Sequence, residues 1–404
     1  MRRINVTFLL IVVLSFILGW QLGHHDFTIK WQKFKPEIGL VNEAPKDTTL
    51  DFKLFWQTWE LLGREYIDKK ALDPQKLYYG AIQGMVAALG DPYTAFLPPK
   101  SQKATKEQLS GLFEGVGIQL GFNKEKRLVV VAPLAGTPAA KAGVKPGDII
   151  LEIDKKDTVN MSLPDAVSLI RGPKGTDVTL TIFREGNGKP VGFKLTRDEI
   201  IVKSVELETK LTPTGKKIAL LKVSSFGEKT AGEWDGAVST ALSNAPRGVI
   251  VDVRNNPGGF LEGAVYLSSE FLEGGVVVMQ ENAEGERTEL KVNRTGKMLK
   301  MPLIVLINKG SASASEIFAG AVQDYGRGKL IGEQSFGKGT IQSSQDLPES
   351  TGIHITTAKW LTPKGRWIHD TGLTPDEKVE PGVSEDSDLQ LERALKLFDE
   401  SFVK

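Results

Sequence analysis

Hydrophobic residues follow three successive patterns along the chain. From Asp51 to about residue 104 they recur at helical spacing, whereas residues 105–196 alternate in short stretches separated by glycine-rich turns. Residues 197–385 contain short, strongly apolar stretches, each followed by a turn and a helical pattern. This order predicts a helical N-terminal region, a β-rich middle region and an α/β core with buried strands.

Individual elements can be predicted from the same pattern. A first helix carries an apolar stripe of Phe52, Phe55, Trp59, Leu62 and Tyr66. A second helix is predicted from Pro74 to Leu89, with Ile82, Val86 and Leu89 inward and Gly90 as its stop. A last amphipathic helix lies within 386–404. We interpret these stripes as internal packing, with a homodimer contact through the terminal helices as the alternative.

The first 22 residues combine two basic residues with an apolar run. Arg2 and Arg3 precede the run, and no clear small-residue cleavage site follows it. This predicts an uncleaved signal anchor over 1–22 and a polar linker over 23–50. The remainder would then work outside the cytoplasm, on the outer face of a bacterial cell membrane or in the periplasm. The alternative is a cleaved signal peptide and a secreted protein.

The amino-acid composition excludes several classes of partner and of reactive group. The chain has 404 residues, 51 Lys plus Arg and 50 Asp plus Glu, so its net charge of +1 argues against nucleic acid as a partner. It has no Cys, which excludes disulfides, thiol nucleophiles and Cys-bound metals. Only four His are present, at 24, 25, 354 and 369. We therefore expect no metal site and no organic cofactor.

The middle region resembles a PDZ domain. A glycine-flanked turn precedes a strand, and a Pro-Gly-Asp-x-Ile segment follows at 146–150. Such a turn exposes backbone N–H groups that can bind a free carboxylate, and the adjacent strand edge can pair with an extended peptide. The candidate peptide-binding residues are Gly115, Val116, Gly117 and Ile118. The resemblance implies a protein C-terminus with an apolar last side chain as ligand, and the alternative is a PDZ domain used only for packing.

Three motifs in the α/β region could carry chemistry. They are Asp-Val-Arg-Asn-Asn-Pro-Gly-Gly at 252–259, Ser-Ala-Ser-Ala-Ser at 311–315 and Gly-Lys-Gly-Thr at 337–340. Each alone is more typical of a turn, a helix N-cap or a solvated loop. Together they could form a serine nucleophile at a helix N-terminus, whose N–H groups would stabilise an oxyanion.

A serine nucleophile needs a base, and two types are open. No His lies between 25 and 354, so His354 and His369 are the only candidates for the base of a Ser–His hydrolase. The serines do not lie in a recognisable sequence motif of such enzymes, such as Gly-x-Ser-x-Gly. A Lys can serve if it is neutral. Its pKa near 10.4 must then fall by roughly 3 units, which costs about 4–5 kcal/mol and requires burial. Glycines on both sides of Lys338 permit such close packing.

With these motifs, the chain resembles the carboxyl-terminal processing (tail-specific) proteases, the Ser/Lys-dyad peptidases of S41 type, from residue 51 onward. The resemblance implies that Ser313 is the nucleophile, Lys338 the general base and Gln342 a residue that positions the lysine. It also implies an oxyanion hole formed by the N–H groups of Gly259 and Ala314. Spacing alone does not separate Ser313 from its two neighbouring serines.

Further positions match the family's pattern. The resemblance implies that the site is supported by Asp252, Arg254 and Glu316, and that Arg171 links the PDZ domain to the peptidase core. Trp367 and His369 depart from the small or polar residues expected in their segment, which bears on the local substrate surface.

The resemblance implies a multidomain α/β protein with a ClpP/crotonase-like peptidase core. Its predicted parts are a signal anchor (1–22), a linker (23–50), an N-terminal helical region (51–104), a PDZ domain (105–196), a peptidase core (197–385) and a C-terminal helix (386–404). The predicted function is a serine endopeptidase that binds substrate C-termini through a PDZ domain, which also gates cleavage. The alternatives are a membrane-tethered, non-catalytic PDZ adaptor and a Ser–His hydrolase.

Overall fold

A computed structural model describes residues 13–16, 26–32, 35–41, 51–134, 136–184, 186, 188–382 and 387–401, with 26–41 as backbone only. The predicted signal anchor therefore lies outside the described residues, apart from one helical turn at 13–16. Among the described residues, no helix combines the length and the apolar character needed to cross a bilayer. The chain divides into two compact units, residues 1–77 and 78–404.

The first unit contains a hairpin and a helix. Strands β1 (Asp26–Gln32) and β2 (Lys35–Val41) pair antiparallel, within the segment predicted to be a linker. In the sequence, the alternation of the apolar residues Phe27, Ile29 and Trp31 with other residues indicates strand β1. Helix α1 (Lys53–Glu65) follows, and a short 3₁₀ turn spans Lys69–Ala71. No residue of α1 is buried, so its apolar stripe is not a core stripe within the described chain.

Helix α2 (Pro74–Ala87) confirms the second predicted helix but corrects its inward face. Val86 is buried, whereas Leu89 is 69% exposed. The helix ends at Ala87 and the chain turns at Gly90, whose φ is 70°, so the helical spacing no longer applies to Leu89. Strand β3 (Ala95–Leu97) and helix α3 (Pro99–Ser110) follow.

The middle region forms a small β-rich fold with its own core. Its elements are β4 (Leu112–Gly115), β5 (Ile118–Phe122), β6 (Leu128–Pro133), α4 (Pro138–Lys141), β7 (Ile149–Ile153), β8 (Lys156–Asp157), α5 (Leu163–Ile170), β9 (Asp177–Phe183), β10 (Val191–Thr196) and β11 (Asp198–Ile201). The main sheet runs β10–β9–β7–β6–β5, so β5 is an edge strand. Alternate residues of these strands, such as Val178, Leu180 and Ile182, are buried.

The α/β region is built on a six-stranded sheet. Its elements are β12 (Val205–Leu211), β13 (Lys217–Val223), α6 (Thr230–Ser243), β14 (Gly248–Asp252), α7 (Leu261–Ser268), β15 (Val276–Glu281), β16 (Arg287–Lys291), β17 (Leu303–Ile307), α8 (Ala314–Asp324), β18 (Lys329–Gly332), β19 (Thr340–Leu347), β20 (Thr351–Leu361), β21 (Glu377–Lys378) and α9 (Leu389–Ser401). The strand order is β12–β13–β14–β17–β18–β21, parallel except for β12.

Both faces of this sheet are covered, which explains the continuous apolar character of its strands. On one face, Leu221 and Val251 pack with residues of α6, α7 and α8 and with Trp360 of a second sheet, β16–β15–β20–β19. On the other face, Leu220 and Ile250 pack against Phe398 of α9. The predicted C-terminal helix is thus part of the core.

The topology brings the three sequence motifs together. Strands β14, β17 and β18 are parallel neighbours, and they end at Asp252, Ile307 and Gly332. The loops that follow them carry the three motifs in turn. Because the carboxyl ends of parallel strands share one edge of a sheet, the motifs meet at that edge, where ligands bind in open α/β sheets.

Candidate active site

Asn256 fastens the first loop to the second. Its side chain is fully buried, donates to the Val223 carbonyl at 2.8 Å and accepts from the Gly258 N–H at 2.9 Å. Its own carbonyl accepts from the Ala312 N–H at 3.0 Å. Asn256 was not singled out from the sequence, although it lies inside the first motif.

Hydrogen bonding separates the three serines that spacing left equivalent. Ser311 and Ser315 are fully buried, and their hydroxyls donate to the carbonyls of Val253 at 2.7 Å and Asn256 at 2.9 Å. Ser313 is only partly buried, and its backbone has φ 55° and ψ −116°, a strained conformation for a side chain with a Cβ. Ser311 and Ser315 therefore stabilise the loop through hydrogen bonds, whereas Ser313 lies partly exposed at the start of α8.

Glu316 joins the second loop to the third. Its buried carboxylate accepts four hydrogen bonds: from the backbone N–H groups of Ser313 (2.8 Å), Gly337 (2.7 Å) and Lys338 (2.9 Å), and from the Ser335 hydroxyl (2.6 Å). One oxygen, Oε2, accepts from both Ser313 and Lys338, so their backbone nitrogens lie within two hydrogen-bond lengths of each other. Burial raises the pKa of Glu316 above its ordinary value, although these hydrogen bonds oppose the shift.

The glycines of the first loop pack against the serine loop. A Cβ on Gly258, whose φ is 101°, would lie 2.8 Å from the Cβ of Ser313 and 2.9 Å from the nitrogen of Ala314. Among the described residues, the N–H groups of Gly259 and Ala314 donate no hydrogen bond. Both predicted oxyanion donors are therefore unused and belong to adjoining segments. Gly258, which makes this approach possible, was missed in the sequence.

Lys338 is held in a tightly packed loop. The Nε1 of Trp360 donates to its carbonyl at 2.8 Å, and the Nε1 of Trp367 donates to the Gly339 carbonyl at 2.9 Å. A Cβ on Gly339 would lie 2.8 Å from the Trp367 indole nitrogen, so only glycine fits. Burial lowers the pKa of Lys338 below its ordinary value, while the charges of Asp91 and Glu316 oppose the shift. This is the direction that a lysine base requires.

The two described histidines lie close to Lys338. His354 is in β20, and burial together with the Lys338 charge lowers its pKa. His369 stacks on Trp367 with ring centroids 5.2 Å apart, and its Nδ1 accepts the Gly339 N–H at 3.2 Å. The ring of His369 thus packs against the lysine loop, which gives Trp367 and His369 a structural role.

The remaining predicted residues lie at different distances from the loops. The Gln342 amide donates to the hydroxyls of Thr340 (3.0 Å) and Thr356 (3.1 Å), so its positioning of the lysine stays a prediction. Arg254 forms a two-point ion pair with Asp252 and another with Asp388, which precedes α9. Asp252 and Arg254 therefore secure the end of β14 to the C-terminal helix. The described residues contain no cluster suited to a metal ion.

The predicted peptide-binding turn lines a groove of about 420 Å³ between β5 and α5. Gly115, Val116, Gly117 and Ile118 form one wall, and residues 202, 203, 206 and 224 at the start of the α/β region also contribute. Gly117 has φ 75°, and a Cβ there would overlap Thr137. Because β5 is an edge strand, an extended peptide could pair with it.

The side chain of Arg171 extends from this groove to helix α3. Its guanidinium lies 3.1 Å from the Glu107 carboxylate and 4.2 Å from the centroid of the Phe113 ring. From α3, Gln102 and Lys106 bind Asp346 near the end of β19 at 2.7 Å. Arg171 therefore reaches the α/β region through α3.

Comparisons with known proteins identify the families that three parts of the chain resemble. Peptidase family S41 matches residues 217–379, a PDZ domain matches 129–184, and the N-terminal domain of the activating protease CtpB matches 26–101. The carboxy-terminal processing protease CtpA of Bacillus subtilis is 38% identical over 324 residues, 80% of this chain and 68% of that protein. The carboxyl-terminal-processing protease of Synechocystis sp. is 37% identical over 365 residues, 89% of this chain and 84% of that protein.

This chain belongs to the S41 peptidases. A solved photosystem II D1 C-terminal processing protease is similar in structure, with a TM-score of 0.51 and 29% identity over 85% of this chain and 96% of that one. This S41 peptidase is thus a serine-type protease of the carboxyl-terminal processing group, with a PDZ domain. The predicted fold class, an α/β multidomain protein with PDZ domain, peptidase core and C-terminal helix, is confirmed.

The Glu316 carboxylate yields a direct test. Glu316→Gln keeps the volume but places an amide NH₂ where N–H donors converge, so at least one hydrogen bond is lost. We expect kcat to fall at least about 100-fold and unfolding stability to fall by about 1–3 kcal/mol. Peptide cleavage rates and urea unfolding measure both. Glu262→Gln, on an exposed position of α7, is the matched control; wild-type kcat in Glu316→Gln would contradict the role of the carboxylate.

Proposed function

We propose that this S41 peptidase cleaves proteins outside the cytoplasm with a Ser313–Lys338 dyad, after the substrate C-terminus docks on the PDZ domain. The observation that carries the proposal is the shared Glu316 oxygen, which holds the backbones of the nucleophile and the base side by side. The lowered pKa of Lys338 and the unused N–H groups of Gly259 and Ala314 support it.

The proposal assigns each step of acyl transfer to a residue of this chain. The Ser313 hydroxyl attacks the scissile carbonyl, and Lys338 Nζ, in its neutral form, takes the hydroxyl proton. The Gly259 and Ala314 N–H groups stabilise the oxyanion of the tetrahedral intermediate. Lys338 then returns the proton to the leaving amine, and water hydrolyses the acyl-enzyme. Gln342 is proposed to position Lys338 from β19, and no cofactor enters these steps.

The dyad is tested with an unfolded protein substrate that ends in apolar residues. We expect Ser313→Ala and Lys338→Ala each to lower kcat at least about 10³-fold, because the nucleophile or its base is lost. The exposed Lys300→Ala is the matched control and should cleave like wild type. If His354→Ala or His369→Ala abolished cleavage while Lys338→Ala did not, a Ser–His mechanism would replace the dyad. Tight peptide binding without cleavage by wild type would indicate an adaptor.

We also propose that the PDZ groove gates the peptidase. The groove ends at Arg171, which is paired with Glu107 of α3, and α3 binds Asp346 of β19. Strand β19 begins two residues after Lys338, so a movement at the groove has a continuous packed route to the base. A ligand that binds one arrangement of this route more tightly would shift the population of active enzyme.

Glu107→Gln tests the gating because Glu107 pairs with Arg171 without lining the groove. We expect a free peptide with an apolar C-terminus to change the cleavage rate of wild type and to change that of Glu107→Gln less than about twofold. Peptide affinity should stay within about threefold, since the groove is intact. The exposed Glu125→Gln is the control. An unchanged response to peptide in Glu107→Gln would show that the ion pair carries no signal.

We propose a membrane-anchored location, which rests on the apolar run within 1–22. The full chain is expected in the membrane fraction after carbonate washing, with its protease domain accessible to externally added protease, and deletion of residues 2–22 should release it. Recovery of the full-length chain in the soluble cytoplasmic fraction would contradict this location, and a shortened N-terminus by mass spectrometry would indicate a cleaved signal. Trp56 of α1 and Phe52 just before it are exposed, which fits the alternative of a homodimer contact through the terminal helices.

A further inference from the structure

The loop between α2 and β3 is anchored beside the active site. The Asp91 carboxylate accepts hydrogen bonds from the Tyr93 N–H (3.0 Å) and the Thr94 hydroxyl (2.6 Å). The Thr94 hydroxyl in turn accepts the N–H of Thr356 in β20 at 3.0 Å. The Thr356 hydroxyl also accepts a hydrogen bond from the Gln342 amide. The backbone at Tyr93 is therefore fixed to the sheet that carries the lysine's predicted positioning residue.

The ring of Tyr93 faces Lys338. Lys338 Nζ lies 5.1 Å from the ring centroid, within the range of a cation–π contact. Tyr93 also packs edge-to-face with His369, with centroids 6.0 Å apart, and His369 is itself stacked on Trp367. The ring is thus held on both sides, by its own turn and by an aromatic pair.

Few groups compete with this ring for the lysine. Among the residues that the structure describes, the charged or titratable groups that act on Lys338 are the carboxylates of Asp91 and Glu316 and the ring of His354. The Glu316 carboxylate is engaged by four donors, and Asp91 binds its own turn. Burial and the charges of Asp370, Glu316 and Asp91 raise the pKa of Tyr93, so its phenol stays neutral and its ring keeps an electron-rich face.

We propose that Tyr93 is a positioning residue for Lys338: its ring face fixes the amine and stabilises the ammonium that forms when Lys338 takes the Ser313 proton. The proposal rests on the proposed function, because it assumes that Lys338 is the base. The proton moves from Ser313 Oγ to Lys338 Nζ as the Oγ–carbonyl carbon bond forms, and it leaves with the amine when the peptide bond breaks. The attraction between the ring and Nζ strengthens in the first step, when Nζ becomes charged, and weakens in the second.

Two effects follow from one contact. A cation–π contact favours the protonated amine, so it raises the pKa of Lys338 and opposes the effect of burial. Removal of the ring face should move the acidic limb of activity to lower pH, since the base is neutral at lower pH. It should also lower the rate at the plateau, because the ammonium forming in the transition state is less stabilised.

Tyr93→Leu removes the ring face but keeps an apolar side chain that excludes water. We expect the acidic limb of the kcat/KM–pH profile to move down by about 0.5–1 unit, and kcat at the plateau to fall about tenfold with a smaller change in KM. Tyr93→Phe keeps the ring face and should retain both values. The exposed Tyr78→Leu is the matched control. A wild-type limb and plateau in folded Tyr93→Leu would overturn the proposal.

If Tyr93→Leu does not fold, fluorinated phenylalanines at position 93 test the same contact. Phenylalanine with zero to three ring fluorines at position 93 weakens the electron-rich face stepwise with little change in shape, so the acidic limb should move down stepwise. A limb that is constant across folded members of the series would refute the proposal. Lys338→Ala measured alongside separates the two levels: an active Lys338→Ala contradicts the proposed function, whereas an inactive Lys338→Ala with an unshifted series contradicts only the role of Tyr93.

Discussion

One buried carboxylate sets the relation between the two residues that the proposed chemistry needs. Glu316 lies in the first turn of α8, and its oxygens bind the N–H groups of the helix's own N-cap and of the lysine loop. A buried carboxylate is stable only when its oxygens are fully hydrogen-bonded, so the loops must close around it. The need to satisfy Glu316 therefore specifies the approach of Ser313 to Lys338.

The sheet places the three loops, and Asn256 and the tryptophans make them rigid. Parallel strands β14, β17 and β18 deliver the loops to one edge, but such loops could still adopt many conformations. Asn256 removes this freedom between the first two loops through buried hydrogen bonds, and Trp360 and Trp367 do so within the third loop, at the carbonyls of Lys338 and Gly339. The proposed nucleophile and the proposed base, which lie on independent loops, are thereby held in one geometry.

Local patterns predicted much of this architecture. The buried strands, the helix after each and the Gly-Lys-Gly loop were evident because apolar runs and glycines report local requirements directly. The inward face of Leu89 was wrong, because spacing does not show where a helix ends. The three motifs were recognisable, but the difference between Ser313 and its neighbours depends on the distant carbonyls of Val253 and Asn256. Tyr93 reaches Lys338 from more than two hundred positions away in sequence, which no local pattern reveals.

The backbone conformation at Ser313 brings stability and activity into conflict at one position. Its φ of 55° with ψ of −116° is a conformation that glycine adopts readily and serine does not. Selection for folding alone would favour glycine there, where the hydroxyl would be lost and the strain relieved. With Ser313 as the proposed nucleophile, the chain tolerates a less stable native state in exchange for a reactive hydroxyl, a trade-off often found where a protein does its chemistry. Improving the stability of this enzyme is therefore best attempted away from the first turn of α8.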